Sequence, residues 1–467
     1  MYKPQIDQYF AEHTDQMVND ICRLIHIQSD RQPTHAGQPF GAGPAAALAA
    51  ALDIAAGMGF TTRNYENFVG AIDLNDQPTE LDILAHLDVV PGGDGWTVTT
   101  PFEPLVLDGR IYGRGTSDDK GPAIAALYAM RAIKDLQIPL RKNVRLILGT
   151  DEECGGKDIG YYYQREPEAP LTFTPDAEFP VINIEKGGLR GDFSASWPKE
   201  ESSPRIISIK GGIKFNVVPA HAEAAIAGLT AGSIAAAIEA ASQKTGVIFT
   251  AREENNQLLI SAKGTSAHAA TPHDGNNAIT ALLELLANLP LHANPSFECV
   301  KALNRLFPRG DWAGQALGVA MRDELSGELT LSFNMIELNE TGLKGIFDCR
   351  APLCATDENL LHVAAANLLA AGIVLSNKEL NPPHHVSAES DFVKTLLSCY
   401  EQYSGKPGKC LAIGGGTYVH NLKNGVAFGC ADLDVDNHLH GADEFADINQ
   451  LVMSAKIFTQ AIIELCG

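Results

Sequence analysis

Basic residues are scarce in this chain: 35 Lys and Arg stand against 57 Asp and Glu, leaving a net charge of −22 over 467 residues. A surface of that sign repels phosphate backbones and anionic lipid, so nucleic acid and membrane surfaces are excluded as favoured partners. Long apolar runs are missing too, and none approaches the roughly 20 residues that a membrane-spanning helix requires. The start, MYKPQIDQYFAEHTDQM, carries no apolar segment behind a basic stretch. No secretory leader is therefore expected, and the expected location is cytoplasmic. The nine cysteines, from Cys22 to Cys466, include no CxxC pair, which favours reduced thiols over a disulfide framework or a cysteine-rich zinc site. Neither a GxSxG elbow nor a GxxxxGK phosphate loop occurs, so serine-hydrolase and nucleotidase chemistry lack an anchor. The GAGPAA run at Gly41 to Ala46 matches the dinucleotide glycine pattern only formally, because a loop, HAGQPF, precedes it where a strand is required.

What is present is the composition of a folded enzyme of more than one domain, with 45% hydrophobic and 20% charged residues. Ile6, Phe10, Met17, Ile21, Leu24 and Ile25 recur at helical spacing, and Pro44 to Met58 reads as an Ala-rich helix. Apolar runs at Leu81 to Ala85 and Val144 to Leu148 flank a helical stretch, Pro122 to Leu136. That order predicts an α/β domain with a mixed, largely parallel sheet flanked by helices. The texture changes near residue 187. Strand patterns at Arg205 to Lys210, Val247 to Ala251 and Leu258 to Lys263, a hairpin at Asn255-Asn256, and helices at Ser233 to Gln243 and Asn277 to Leu289 form one α+β group. Leu329 to Ile336, Gly345 to Cys349 and the helix Glu358 to Ala371 form a second. An inserted α+β domain of two similar halves is expected over 187–383, interrupting a domain made of 1–186 and 384–467. In the returning part, Phe392 to Tyr403 and Ile448 to Leu465 read as helices, and Cys410 to Ile413 and Val426 to Cys430 as strands. No short-period repeat is found.

Five segments carry residues suited to chemistry. In LDILAHLDVV an apolar strand ends in His86 and Asp88, which share a face, and a carboxylate two residues on could hold the second nitrogen of a metal-bound imidazole. In GRGTSDDKGP, Asp118 and Asp119 stand side by side, a costly arrangement unless a cation or hydrogen-bond donors neutralise it. LILGTDEECGG runs a strand into Glu152 and Glu153, which could divide metal binding and proton transfer between them. FTPDAEFP offers Asp176, and DVDNHLHGADEF offers His438 and His440 with Glu444 beyond. Each alone is matched by a bland alternative, such as a helix cap or a solvated acidic loop. Jointly they put His and carboxylates, without Cys, at strand ends of one domain, a donor set suited to zinc or manganese and to hydrolysis.

In this order, His-x-Asp, Gly-Arg-Gly-Thr-x-Asp-Asp-Lys-Gly, Asp-Glu-Glu, Pro-Asp and a late His, the chain resembles the dizinc exopeptidase family of aminoacylases, glutamate carboxypeptidases and carnosine-type dipeptidases. The bacterial V-type Xaa-His dipeptidases are the most similar branch, given the long insert and GGGTY at Gly414 to Tyr418. The resemblance implies that His86 and Asp176 bind one metal, that Glu153 and His440 bind another, and that Asp118 bridges them. Asp88 would orient His86, Glu152 would be the general base, and the Asp118-Asp119 peptide would be cis. His440 is preferred to His438 because the family pattern has a His followed by an acidic pair, here Asp443-Glu444. Inside the insert, GGIKFNVVP gives Asn216, GTSAHAATPHDGNNA gives His268 as oxyanion donor, and DCRAP gives Arg350 for a substrate carboxylate, with Gly414, Gly415 and Gly416 adding backbone donors. Where the family pattern often continues GGGTY with arginine, this chain has Val419-His420. The implied activity is metal-dependent hydrolysis of dipeptides with a free N-terminus, using two divalent ions, zinc first and manganese or cobalt as alternatives. Deacylation of N-acyl amino acids is the alternative, and a non-catalytic metal- or peptide-binding protein a weaker one. The long insert, standing in for a partner's, implies a monomer.

Overall fold

The structure is a computed structural model and describes residues 2–377 and 379–467. Two compact units make up the chain: one gathers the residues up to Ile184 with His385–Leu411 and Gly416–Gly467, and the other holds Glu185–His384 and Ala412–Gly415. Among the described residues no helix is long and apolar enough to cross a membrane.

The sheet of the first unit runs in the order Thr61–Tyr65, Val69–Asp73, Asn143–Gly149, Thr79–His86, Leu171–Thr174, Gly425–Ala427, Val181–Glu185. Its centre is parallel, with Thr79–His86 between Asn143–Gly149 and Leu171–Thr174, and Gly425–Ala427 beside the latter. An antiparallel hairpin closes one side. Strand periodicity explains the burial on both faces. Along Thr79–His86, Leu81, Ile83 and Ala85 enter the main core, while Leu84 joins a smaller cluster on the other face with Ile147, Tyr162 and Val419. Asp82 and His86 share the face of Leu84. Against the main face lie the helices Lys3–Ile25, Lys120–Asp135, Asp391–Ser404 and Ile448–Cys466, whose Phe10, Tyr128, Val393 and Phe458 are buried with Phe173 and Val426. The helix Asp391–Ser404 shows why such segments are readable: Ser390 caps its start by accepting from the Val393 N–H, and Gly405 ends it at a left-handed φ of 68°.

The second unit is α+β. Its eight-stranded sheet is ordered Ile248–Glu254, Gln257–Lys263, His221–Ala227, Arg205–Gly211, Thr330–Asn339, Gly342–Ala351, Gly187–Ser196, Val374–Leu375, with every pairing antiparallel. The helix Ala231–Thr245 packs on Ile248–Glu254, Ala278–Ala287 on His221–Ala227, Gln257–Lys263 and Thr330–Asn339, Pro295–Leu306 on Arg205–Gly211, and His362–Ala370 on Val374–Leu375. Asn255 and Asn256 turn the first hairpin with both φ values positive, 50° and 61°.

Two local readings change, and one strand had not been read. The helix expected over Glu358 to Ala371 begins as a π-helical turn, Asp357–Leu361, before His362–Ala370. The strand expected over Val426 to Cys430 is two short strands, Gly425–Ala427 and Cys430–Ala431, separated by Gly429 at a φ of 82°. The strand Gly187–Ser196 had no readable alternation because its glycines serve packing. A Cβ on Gly191 would lie 2.1 Å from the Phe347 ring, and one on Gly345 opposite would lie 2.3 Å from the Phe193 ring.

Candidate metal centre

Three neighbouring parallel strands of the first unit deliver acidic or imidazole groups at their carboxyl ends, where open α/β sheets place ligands. His86 closes Thr79–His86, Glu152 and Glu153 form the turn after Asn143–Gly149, and Asp176 lies two residues past Leu171–Thr174. Asp118 and Asp119 lead into the helix Lys120–Asp135, joined by a cis peptide bond. His440 comes from the turn before the strand Phe445–Asp447.

Asp118 sits at the middle. Its Oδ1 is 2.9 Å from His86 Nε2, and its Oδ2 is 2.9 Å from His440 Nε2. His86 Nε2 is also 3.5 Å from Asp176 Oδ2, and His440 Nε2 is 3.1 Å from Glu153 Oε1. Two triplets result, His86–Asp118–Asp176 and Asp118–Glu153–His440, each with ligand atoms within 4.8 Å of one another. His438 takes no part in either; its ring lies 5.9 Å from that of Phe445.

The donor set fits divalent cations. His86 Nε2 and Glu153 Oε1 are buried, yet neither makes a well-formed hydrogen bond among the described residues, which is the condition of atoms waiting for a ligand. The lysine and arginine of the GRGTSDDKG motif are engaged elsewhere. Lys120 donates to the carbonyls of Leu24 and Ile27, and Arg114 pairs with Glu444. Imidazole and carboxylate ligands without thiolate suit zinc or manganese.

Electrostatics agree with crowded acids. Burial lifts the Glu152 carboxyl well above the usual carboxylate range, with His86 opposing and Asp176 and Glu153 adding to the rise. Glu153 and Asp176 are raised in the same way, by burial first and by Asp118 next. For Asp118 burial is outweighed by its bonds to His440 and His86, which hold it below the ordinary value. Hydrogen bonds to Asp118 and Glu153 push the His440 imidazole up to about 10. Buried carboxylates of this density are stabilised by added positive charge.

The surroundings hold the ligands in place. His86 Nδ1 stands 2.9 Å from the Asp88 carbonyl and 3.5 Å from its carboxylate. That carboxylate instead accepts from the Glu152 and Glu153 backbone N–H groups, both at 3.1 Å, so Asp88 ties two strand ends together. Asp119, in the N-cap position, makes no side-chain cap bond; it accepts from the His86 backbone N–H at 3.0 Å. Tyr418 of the GGGTY motif donates to Asp158, whose carboxylate also accepts from the Thr150 and Asp151 N–H groups at the foot of the Glu152 turn. Sequence reasoning missed Asp158, Tyr418 and the Arg114–Glu444 pair. GRGT, the acidic pair and GGGTY were visible, but their partners are far apart along the chain.

Within the second unit, Asn216 and His268 lie on adjacent segments, joined where the Ala269 N–H donates to the Asn216 carbonyl at 2.9 Å. His268 is exposed and accepts at Nδ1 from the Ala270 N–H at 3.2 Å, so a neutral ring carries its proton on Nε2. Arg350 donates to the Gly414 carbonyl at 2.6 Å and to Asp348 at 2.8 Å. A Cβ on Gly414 would approach that of Ala270 to 2.9 Å, which accounts for glycine there. Gly415 belongs to the same unit, and Gly416 to the first.

Residues 83–464 match the family described as peptidase family M20/M25/M40. The "Putative dipeptidase YtjP" of Bacillus subtilis (strain 168) is 37% identical over 458 residues, covering 97% of each chain. Among solved structures, human carnosine dipeptidase 1 is similar with a TM-score of 0.60 and 15% identity, over 100% of this chain and 99% of that one. Aminoacylhistidine dipeptidase from Vibrio alginolyticus is similar with a TM-score of 0.58 and 15% identity, over 96% of each chain. The family match over most of the length, together with the Bacillus relative, shows that the chain belongs to peptidase family M20/M25/M40 and is a metallopeptidase.

Proposed function

We propose that this chain is a dipeptidase that hydrolyses the peptide bond of dipeptides with a free N-terminus, with Glu152 as general base. The observation that carries the proposal is the convergence of His86, Asp118, Glu153, Asp176 and His440, from five separate segments, into two ligand triplets that share Asp118. His86 and Asp176 would hold one cation, Glu153 and His440 another, and Asp118 both. Zinc suits the donors best, with manganese or cobalt able to substitute. Such cations, when bound, polarise a carbonyl and lower the pKa of water.

The remaining work falls to the chain's own groups. Glu152, at the foot of the same turn as Glu153, takes the proton of the attacking water and returns it to the leaving amine. His268, through Nε2, donates to the developing oxyanion. Arg350, with the backbone of Gly414, Gly415 and Gly416, binds the substrate's terminal carboxylate, and Asn216 contacts the substrate beside His268. The insert over 187–383 acts as a lid that limits substrate length. The protein is a cytoplasmic monomer, and a stable dimer by light scattering would count against that part.

Assay of a zinc- or manganese-loaded sample against a dipeptide panel and N-acetyl amino acids tests the proposal. Dipeptides should be turned over and N-acetyl amino acids spared; the reverse preference would make it a deacylase using the same groups. Glu152→Ala should lower turnover by about 10²–10⁴-fold with bound metal unchanged. Metal lost along with activity in that variant would contradict the assignment of the base.

A further inference from the structure

The turn that presents His440 is not held by its own geometry. His438, His440 and Asp443 all adopt left-handed backbone, with φ values of 57°, 59° and 58°, a region that side chains other than glycine occupy at a cost. What surrounds it restrains it. Glu444, fully buried, accepts through Oε1 from the backbone N–H groups of Gly115 and Ser117, each at 3.0 Å, and through Oε2 from Arg114. Arg114, 1% exposed, passes its other nitrogen to the Gly441 carbonyl at 2.9 Å, inside the turn itself. The Gly113 N–H donates to the Glu444 carbonyl at 2.9 Å. Asp443, the other half of the acidic pair, accepts from the Thr97 and Val98 N–H groups and from the Thr97 hydroxyl, at 2.8, 2.9 and 2.6 Å. One turn is thus fastened to the loop that carries Asp118 and to the loop that follows Asp88.

A buried ion pair is a poor source of net stability compared with apolar packing, and in some proteins such pairs serve to fix position. Here both ends of the pair touch backbone on either side of the gap between Asp118 and His440. We propose that Glu444 is a positioning residue, which with Arg114 and Asp443 clasps the His440 turn to the Asp118 loop and so sets the geometry of the Asp118–Glu153–His440 triplet for its cation. The inference rests on the proposal that this triplet binds a cation. The His86–Asp118–Asp176 triplet is braced separately, by Asp88 and by Asp119, and needs the clasp less.

Zinc titration of the metal-free full chain by calorimetry tests this, with His440→Ala marking the binding step that depends on the second triplet. Glu444→Gln keeps the volume and an acceptor for Gly115 and Ser117 but turns an amide toward Arg114. It should weaken the marked step by about 10–100-fold, the usual cost of losing an outer partner, while the other step changes little. Asp443→Ala, at a half-buried position, should weaken the same step to a smaller extent and decides the matter if Glu444→Gln does not fold. Unchanged zinc affinity in both variants, or a lowered Tm of the metal-free protein with both steps intact or equally weakened, would overturn the clasp while leaving the proposed function standing. No zinc uptake by the unaltered chain would overturn both.

Discussion

Asp118 carries two assignments at once, since each of its oxygens stands 2.9 Å from a different imidazole. Removing it should therefore cost more than removing any one partner. After dialysis of zinc-loaded protein, Asp118→Ala should retain none of the ions held by the two triplets, whereas His440→Ala should retain the one at His86 and Asp176, as read by elemental analysis. Equal retention in the two variants would mean that Asp118 is not shared. In the sequence Asp118 was conspicuous because two adjacent carboxylates flanked by glycines need a neutralising partner, and His86 because an apolar strand ended in it. Asp88 was legible as a neighbour of His86, but not as the acceptor for the Glu152 and Glu153 N–H groups, which depends on strands that only the sheet brings together. Glu444 and Tyr418 were invisible as supports for the same reason: Ser117 and Asp158, their partners, are remote in sequence.

At the scale of elements, the strand Thr79–His86 carries a second acid with a cost of its own. Asp82, 1% exposed, has its carboxyl pushed up to about 6 by burial, although the Ala169 N–H, Arg145 and Tyr163 work the other way, against an ordinary value of 3.8. Between those two values the folded state holds a proton that the unfolded chain has released. Stability then falls as pH rises from about 4 to about 6. Asp82→Asn removes that dependence, and at pH 7 the gain should be on the order of 3 kcal/mol, the attraction to Arg145 being already contained in the shift. The Tm difference between variant and parent should widen from pH 4 to 6 and level off above; a difference constant with pH would contradict the assignment. The short helix Lys157–Tyr163 offers a simpler case. Gly160 lies inside it, and a Cβ added there would meet nothing within 4 Å, so Gly160→Ala should stabilise by about 0.5–1 kcal/mol and raise Tm by roughly 1–2 °C in thermal unfolding. The capped helices Ala278–Ala287, Asp391–Ser404 and Ile448–Cys466 were read within a few residues, whereas the helix Pro295–Leu306, capped by Asn294, and the strand His221–Ala227 were not read. Nor was Gly187–Ser196, because Gly191 and Gly345 leave room for the rings of Phe347 and Phe193 in place of an apolar alternation.

At the scale of the whole molecule, the α/β class was legible from strand and helix order, and the α+β insert from its two successive groups of strands and helices. Less legible was where the first sheet turns antiparallel: Thr61–Tyr65 and Val69–Asp73 are short, and TTRNY buries nothing fully, so the hairpin left no pattern to read. The two units also set different demands on the side chains proposed to act. The candidate metal centre draws on the first alone, with His86, Glu153 and Asp176 at or just past strand ends and Asp118 and His440 on loops, whereas Asn216, His268 and Arg350 belong to the second and are held through the backbone of Ala269, Ala270 and Gly414. His268→Ala should accordingly leave bound metal intact and lower kcat by about 10²–10³-fold, the cost of losing an oxyanion donor, in steady-state assays of a dipeptide. A change in metal content with kcat preserved would contradict that role. Anomalous diffraction at the zinc edge from zinc-replete crystals reads out the proposed pair of cations around Asp118. One peak is expected among His86, Asp118 and Asp176 and a second among Asp118, Glu153 and His440. Peaks elsewhere, or none at either triplet, would contradict the proposed pair.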